Sequence, residues 1–363
     1  LKNIFHLNFL LIFLIILLII IGVSVLYSAA DGNFYPWAIR HMLRFSILFI
    51  VMILISLINI KLIFKNAYTL FFICLTLLFS VEIIGTFGKG VERWIHVFGV
   101  SIQPSEIIKI AIILALAKYY HTIKFKNIGY LRHLLIPFVI IAIPFFLVIK
   151  QPDLGTSLSI FLLGIMIMFV SGVRIWKFAL GIIIMIASFP LLWNYFKPYQ
   201  QKRILSFLNP ESDPLGQGYQ LIQSKIALGS GGLTGKGFLQ GTQSYLEYLP
   251  EKQTDFIFTL IGEEFGFLGT MFVLILFSLI ILICFYISIK SYSIFGRIIS
   301  LGVGINLFLY VLLNMSMVTG LMPVVGIPLP LISYGGTAML SIMISFGLLL
   351  NVDIHYNIKK INE

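Results

Sequence analysis

Apolar runs of about 20 residues recur along the whole of this sequence, and they constrain the fold more than any motif does. The first reads LNFLLIFLIILLIIIGVSVL, residues 7–26. Roughly 20 apolar residues are what a helix needs to cross a hydrocarbon core. A bilayer interior offers no water to unpaired peptide groups, so each run must satisfy its own backbone as a helix. Composition agrees: of 363 residues 59% are hydrophobic and 11% charged, with a mean hydropathy of +1.03. Soluble domains carry about 25% charged residues. The expectation is an all-α polytopic membrane protein forming one integral-membrane unit over 1–363. Ten spans are expected, at about 8–28, 43–60, 66–85, 104–121, 133–149, 154–172, 177–195, 256–288, 298–319 and 331–352.

The formal charge of +11 is spread over short loops, which fits orientation in a membrane better than nucleic-acid binding. One side collects Lys2, Lys61, Lys65, Lys118, Lys124, Lys126, Arg132, Arg174, Lys177, Lys290, Arg297, Lys359 and Lys360. The other has Arg40, Arg44, Lys89, Arg93 and Lys150. That asymmetry puts both termini in the cytoplasm. Lys2, the first apolar run and Ser28-Ala29-Ala30 imitate a cleavable signal. The run is too long for one and reads as a retained helix. Cys74 and Cys284 lie in apolar runs, and the six histidines are scattered without a zinc-binding spacing.

One connection, about 196–255, is long and rich in Gly and Pro, and it falls on the extracytoplasmic side. Long connections usually carry function or structure of their own. Stretches such as 219–228 are amphipathic, so short interfacial helices are expected there.

Ionisable and helix-breaking residues at membrane depth are costly, which makes each a functional candidate. Arg93-Trp94 precedes Gln103-Pro104-Ser105-Glu106-Ile107-Ile108-Lys109. Pro104 suits the first position of a helix. Glu106 and Lys109 then share a face, as a structural ion pair or as the wall of a polar pocket. Asp153, in Lys150-Gln151-Pro152-Asp153, reads as an N-cap. The glycine run 229–237 fails as a phosphate-binding P-loop, because Ser230 and Gly237 stand where Gly and Ser/Thr are needed. Its residues read as turns, with backbone N–H groups near Lys236 able to meet an anionic headgroup.

The stretch 250–267, PEKQTDFIFTLIGEEFGF, holds Glu251, Asp255, Glu263 and Glu264 where the polar connection re-enters the membrane. Asp255 reads as a helix N-cap, as a partly desolvated base at the water–lipid boundary, or as part of a proton relay. Beyond it, 314–336 is dense in Pro and Gly, which implies a broken segment lining a cavity. Ser333 of that stretch is grouped with the residues that shape the site.

These strings, RWI at 93–95, QPSEIIK at 103–109, QPDLGTSL at 151–158, NPESDPLGQGYQ at 209–220, YLPEKQTDFIFTLIGEEFG at 248–266 and GLMPVVGIPLPLISYGG at 320–336, closely resemble the SEDS family (shape, elongation, division and sporulation). The resemblance covers nearly the whole chain and is nearer the elongation branch, with the division branch the close competitor. It implies a GT-C-like fold and a bacterial cytoplasmic-membrane peptidoglycan glycosyltransferase that polymerises lipid II outside the membrane. Asp255 matches the family's catalytic carboxylate, and Trp94, Glu106 and Lys109 match its functionally important positions. The implied reaction deprotonates a GlcNAc 4-hydroxyl and inverts C1 of MurNAc. Lys109, Arg203, Lys236 and Lys252 are candidates to meet the leaving pyrophosphate, and a divalent cation, Mg or Mn, is left open. A class B penicillin-binding transpeptidase and the elongation machinery are the implied partners. Two rival readings are a flippase that uses Glu106, Lys109 and Asp153 as a polar route, and a scaffold that activates a transpeptidase.

Overall fold

The computed structural model describes residues 7–362 except 85, 89–90, 98–99, 125–126, 195, 214–215, 243–248 and 250. Helices α1 (Phe9–Ala29), α2 (Trp37–Ser56) and α3 (Ile60–Ile84) lead into strands β1 (Thr86–Gly88), β2 (Val91–Val97) and β3 (Val100–Ile102). Then come α4 (Pro104–Thr122), α5 (Leu131–Lys150), α6 (Leu154–Val170) and α7 (Ile175–Trp193). The long connection carries α8 (Pro198–Leu208), a 3-10 turn (Pro210–Ser212) and α9 (Gln217–Ser230). The chain ends with α10 (Ile257–Lys290), α11 (Ile294–Thr319) and α12 (Gly336–Asn362).

Each expected span coincides with a helix. Among the described residues, seven of these helices are long and apolar enough to cross a membrane: α1, α2, α3, α5, α10, α11 and α12. α6 and the apolar part of α7 are shorter. α4 is long enough but carries Glu106, Lys109 and Lys118. It tolerates them because it lies inside the bundle, buried on almost every side and packed against α3, α5, α6, α11 and α12. This is a multi-pass membrane protein organised around α4 and α11.

Helix ends follow local chemistry. Asn8 caps α1 by accepting from Leu11 N (3.1 Å), and Ser293 caps α11 by accepting from Gly296 N (3.0 Å). Each relieves one of the unpaired N–H groups of a first turn. Pro104 occupies the first position of α4, as its missing N–H allows. Gly320 ends α11 in the left-handed region, φ 77°.

Three features depart from the sequence reading. The link before α4 is an antiparallel three-stranded sheet in the order β1-β2-β3, so the helical bundle bears a small β element. Its Thr86↔Trp94 and Ile95↔Ile102 pairings place the Arg93-Trp94 motif on the central strand. The last helix begins at Gly336 rather than 331, leaving 321–335 without regular helix although Leu329, Leu331 and Ile332 are buried. Leu331 takes φ 67°, and buried His41 of α2 donates from Nε2 to its carbonyl (2.9 Å).

The third departure concerns the glycine run. α10 breaks at Gly266, whose φ 65° and ψ −159° lie outside the helical region. Such a break strands the carbonyls of 263 and 264 and the N–H groups of 267 and 268, and buried backbone groups must find partners. The glycine run supplies all of them. Lys236 N donates to Glu263 O (3.0 Å) and Gly237 N to Glu264 O (3.0 Å), while Phe267 N donates to Gly232 O (2.9 Å) and Leu268 N to Leu233 O (3.1 Å). These N–H groups are therefore committed to α10 rather than offered to a headgroup. The backbones lie so close that a Cβ on Gly235 would fall 2.0 Å from Glu264 O. Lys236 Nζ adds an ion pair to buried Glu263 (2.7 Å), and Ser28 of α1 donates to buried Glu264. Those two acids tie elements together.

Candidate active site

Asp255 sits in the turn before α10, which starts at Ile257 after Phe256. It is not that helix's cap, so the N-cap reading of it falls away. What holds it is a set of bonds from the irregular 321–335 segment and from α11. Tyr334 N donates to Gln253 O (2.8 Å), Ser333 Oγ to Thr254 O (2.6 Å) and Asn314 Nδ2 to Asp255 O (2.8 Å). Three successive carbonyls are thus taken from outside, and the carboxylate is left half-buried at the turn. Gly326, φ 72°, faces it: a Cβ there would lie 3.5 Å from Asp255 Oδ2. Ser333 reaches this turn through backbone hydrogen bonds, donating to Thr254 O and accepting from Leu329 N (2.8 Å).

Arg203 projects from α8 and is half-buried. Burial first, and then the like charge of Arg93, lower its pKa from the ordinary guanidinium value, partly offset by Asp153 and Asp255. An arginine keeps its proton in proteins, so the consequence is a partly desolvated cation within the field of Asp153 and Asp255. Arg93 on β2 donates from Nε to Gln151 O (3.2 Å) and from Nη2 to Pro152 O. This fixes the turn that presents Asp153. Asp153 is the N-cap of α6 as expected, accepting from Thr156 N (3.2 Å) and also from Gln103 Nε2 (3.0 Å).

Deeper in the bundle, Lys109 Nζ meets Glu106 Oε1 at 2.9 Å and Tyr310 Oη at 2.5 Å, and Tyr310 donates to the other Glu106 oxygen. The ammonium also lies 4.0 Å from the Tyr310 ring centroid. Lys109 is 1% exposed. The three side chains form a closed polar cluster joining α4 to α11, which bears out the ion-pair reading of Glu106 and Lys109. Gln103 joins the two clusters, its carbonyl accepting from Glu106 N (3.0 Å) and its side-chain amide donating to Asp153.

The other expected cations have partners of their own. Lys236 belongs to the α10 clamp, with Thr242 Oγ1 (2.7 Å) as a second partner. Lys252 is largely buried, 3.7 Å from Asp31. Trp94 is half-buried on β2. Tyr310 is the member of the Glu106–Lys109 cluster that sequence reading misses, because a tyrosine within a helix carries no signal of its own. Among the described residues no cluster of His, Cys, Asp or Glu gathers three potential metal ligands.

A family profile for FtsW, RodA and SpoVE proteins, described as "Cell cycle protein", matches residues 2–358. The chain belongs to this family. It is 43% identical over 291 residues to the peptidoglycan glycosyltransferase MrdB of Escherichia coli K12, covering 79% of this chain and 77% of that one. It is 36% identical over 372 residues to a probable peptidoglycan glycosyltransferase FtsW of Wigglesworthia glossinidia brevipalpis, covering 99% and 96%. The fold matches a chain in the solved structure "Structural coordination of polymerization and crosslinking by a peptidoglycan synthase complex" with a TM-score of 0.83 and 29% identity. That match covers 96% of this chain and 97% of the other.

Proposed function

We propose that this peptidoglycan glycosyltransferase polymerises lipid II at the outer face of the cytoplasmic membrane, with Asp255 as general base. Asp255 Oδ takes the proton of the GlcNAc 4-hydroxyl on one lipid-linked chain. The freed oxygen attacks C1 of MurNAc on another. The bond from C1 to the phosphate oxygen breaks, the configuration inverts, and undecaprenyl pyrophosphate leaves with the electron pair. The observation that carries this reading is Asp255 held on a turn outside α10 by three bonds from across the fold, to the carbonyls of 253, 254 and 255, with half-buried Arg203 within its field. A low-dielectric cation stabilises charge developing on a departing pyrophosphate.

The reading keeps both termini in the cytoplasm, ten spans, an elongation role and a class B penicillin-binding transpeptidase as partner. The K/R asymmetry and the match to a synthase-complex chain support it. A divalent cation, Mg or Mn, is also part of the proposal. Among the described residues no carboxylate cluster would hold it, so pyrophosphate oxygens would be its main ligands, and an EDTA titration of polymerisation reads it.

The test is to incubate the purified full chain with lipid II, without an active transpeptidase, and resolve the products by size. Glycan strands support the enzyme. Passage of lipid II across vesicle membranes with no polymer would instead favour a flippase, and neither result would favour a scaffold.

A further inference from the structure

Asn314 is completely buried near the end of α11, at 0% exposure. Both of its amide hydrogens go to backbone carbonyls, Asp255 O at 2.8 Å and Ile327 O at 2.7 Å. Its Oδ1 has no hydrogen-bond partner among the described residues. An orphaned buried acceptor is costly. The reason for an amide at this place is therefore its two donors. The amide orientation is fixed as well, since a flip would turn the oxygen toward two carbonyls.

The location of those carbonyls matters. The 255 carbonyl is the one that Thr259 N would take if α10 began a turn earlier. Thr259 N instead donates to Phe256 O at 3.0 Å. By holding the 255 carbonyl, Asn314 keeps Asp255 in the turn and out of the helix. Its second bond holds Ile327, next to Gly326, whose missing Cβ leaves the space beside Asp255 Oδ2. One side chain thus fixes both the carboxylate's backbone and the wall facing it.

We infer that Asn314 is a positioning residue for the glycosyl transfer, acting through Asp255. This rests on the reading of Asp255 as the base. Buried and with both amide hydrogens on backbone carbonyls, Asn314 acts through the turn rather than on the substrate. Loss of its donors releases the 255 carbonyl to Thr259 N, winds α10 back and turns the carboxylate away from the acceptor hydroxyl.

The test uses the full chain in lipid nanodiscs with lipid II as substrate and compares Asn314→Asp, Asn314→Ala, Asp255→Asn and Asn351→Ala. Asn314→Asp is isosteric and leaves at most one donor, the O–H of a buried protonated carboxyl, where the amide offers two. Asn351 is the control, a buried amide donating to the carbonyls of Ile55, Ser56 and Ile58 at the junction of α2 and α3. Misplacing a catalytic group by about 1 Å costs on the order of 100-fold. The Asn314 variants should therefore lose roughly 10- to 100-fold in kcat with KM within about threefold of wild type. Asn351→Ala should lower Tm and leave kcat unchanged. If Asp255→Asn is inactive while the Asn314 variants keep wild-type kcat, the inference is overturned and the base assignment stands. If Asp255→Asn is active, the base assignment fails and takes the inference with it. A loss confined to KM, or failure of both Asn314 variants to fold, would make Asn314 a binding or fold residue and likewise overturn the inference.

Discussion

Three glycines near the α10 clamp make a graded test of how the molecule is held together. Gly229 lies in exposed helix, and a Cβ there meets nothing within 4 Å. Gly229→Ala should stabilise by up to about 1 kcal/mol, the helix propensity difference. Gly232 has φ 54° and also opens onto space, so Gly232→Ala bears only the cost of the left-handed conformation, about 1–2 kcal/mol. Gly235 has φ 82°, and its added Cβ would fall 2.0 Å from Glu264 O and 2.3 Å from the Glu264 carbonyl carbon. Neither atom is on a flexible side chain, so the loop must move. It then gives up the bonds from Lys236 N and Gly237 N, which together are worth about 1–3 kcal/mol net and more if the carbonyls stay buried and unpaired. With the conformational term, Gly235→Ala should cost roughly 2–5 kcal/mol. Thermal unfolding of the full chain in nanodiscs, followed by tryptophan fluorescence, reads the order 229, wild type, 232, 235 from most to least stable. Equal stability of the Gly232→Ala and Gly235→Ala proteins would refute the clamp.

Other outcomes follow from the charged clusters. Glu106→Gln or Lys109→Met alone leaves a buried charge without its partner and should destabilise by about 3–5 kcal/mol. The double variant should recover a large part of that loss in the same unfolding assay. Arg203→Ala should lower kcat for lipid II polymerisation by roughly 10²-fold or more, on the scale of removing one preorganised donor. Lys202→Ala removes the same charge from the neighbouring, exposed position and should change kcat little. The Lys202 hydrogen bond holds the Asp213 carboxyl below its ordinary pKa. A carboxyl whose folded pKa is depressed stabilises above its unfolded pKa and loses that contribution as pH falls through the folded value. Protease resistance of the 196–255 connection should accordingly drop at acid pH, and Asp213→Asn should flatten the dependence.

Much of this architecture was readable from one-dimensional signals. Apolar run length marked each helix outside the 196–255 connection, and Pro104 and Asp153 marked helix starts, because these depend on neighbours in sequence. The Glu106–Lys109 pair was visible for the same reason, being three residues apart on one helix. Tyr310 was not, because its partner Glu106 is 204 residues away in sequence. The glycine run reads as free turns in sequence because its purpose lies in the break at Gly266, and no local pattern joins the two. Asp255 was legible as a candidate. The reason it stays outside the helix was not, since Asn314, Ser333 and Tyr334 reach its turn across the fold.

The central claim is that Asp255 performs the proton transfer, and the most direct measurement is the turnover of lipid II by Asp255→Ala beside wild type, with lipid II binding measured on the same preparations. General-base assistance contributes typically about 10²–10⁴-fold. The account predicts a loss of that size in kcat with binding retained. Polymerisation by Asp255→Ala at the wild-type rate would contradict it.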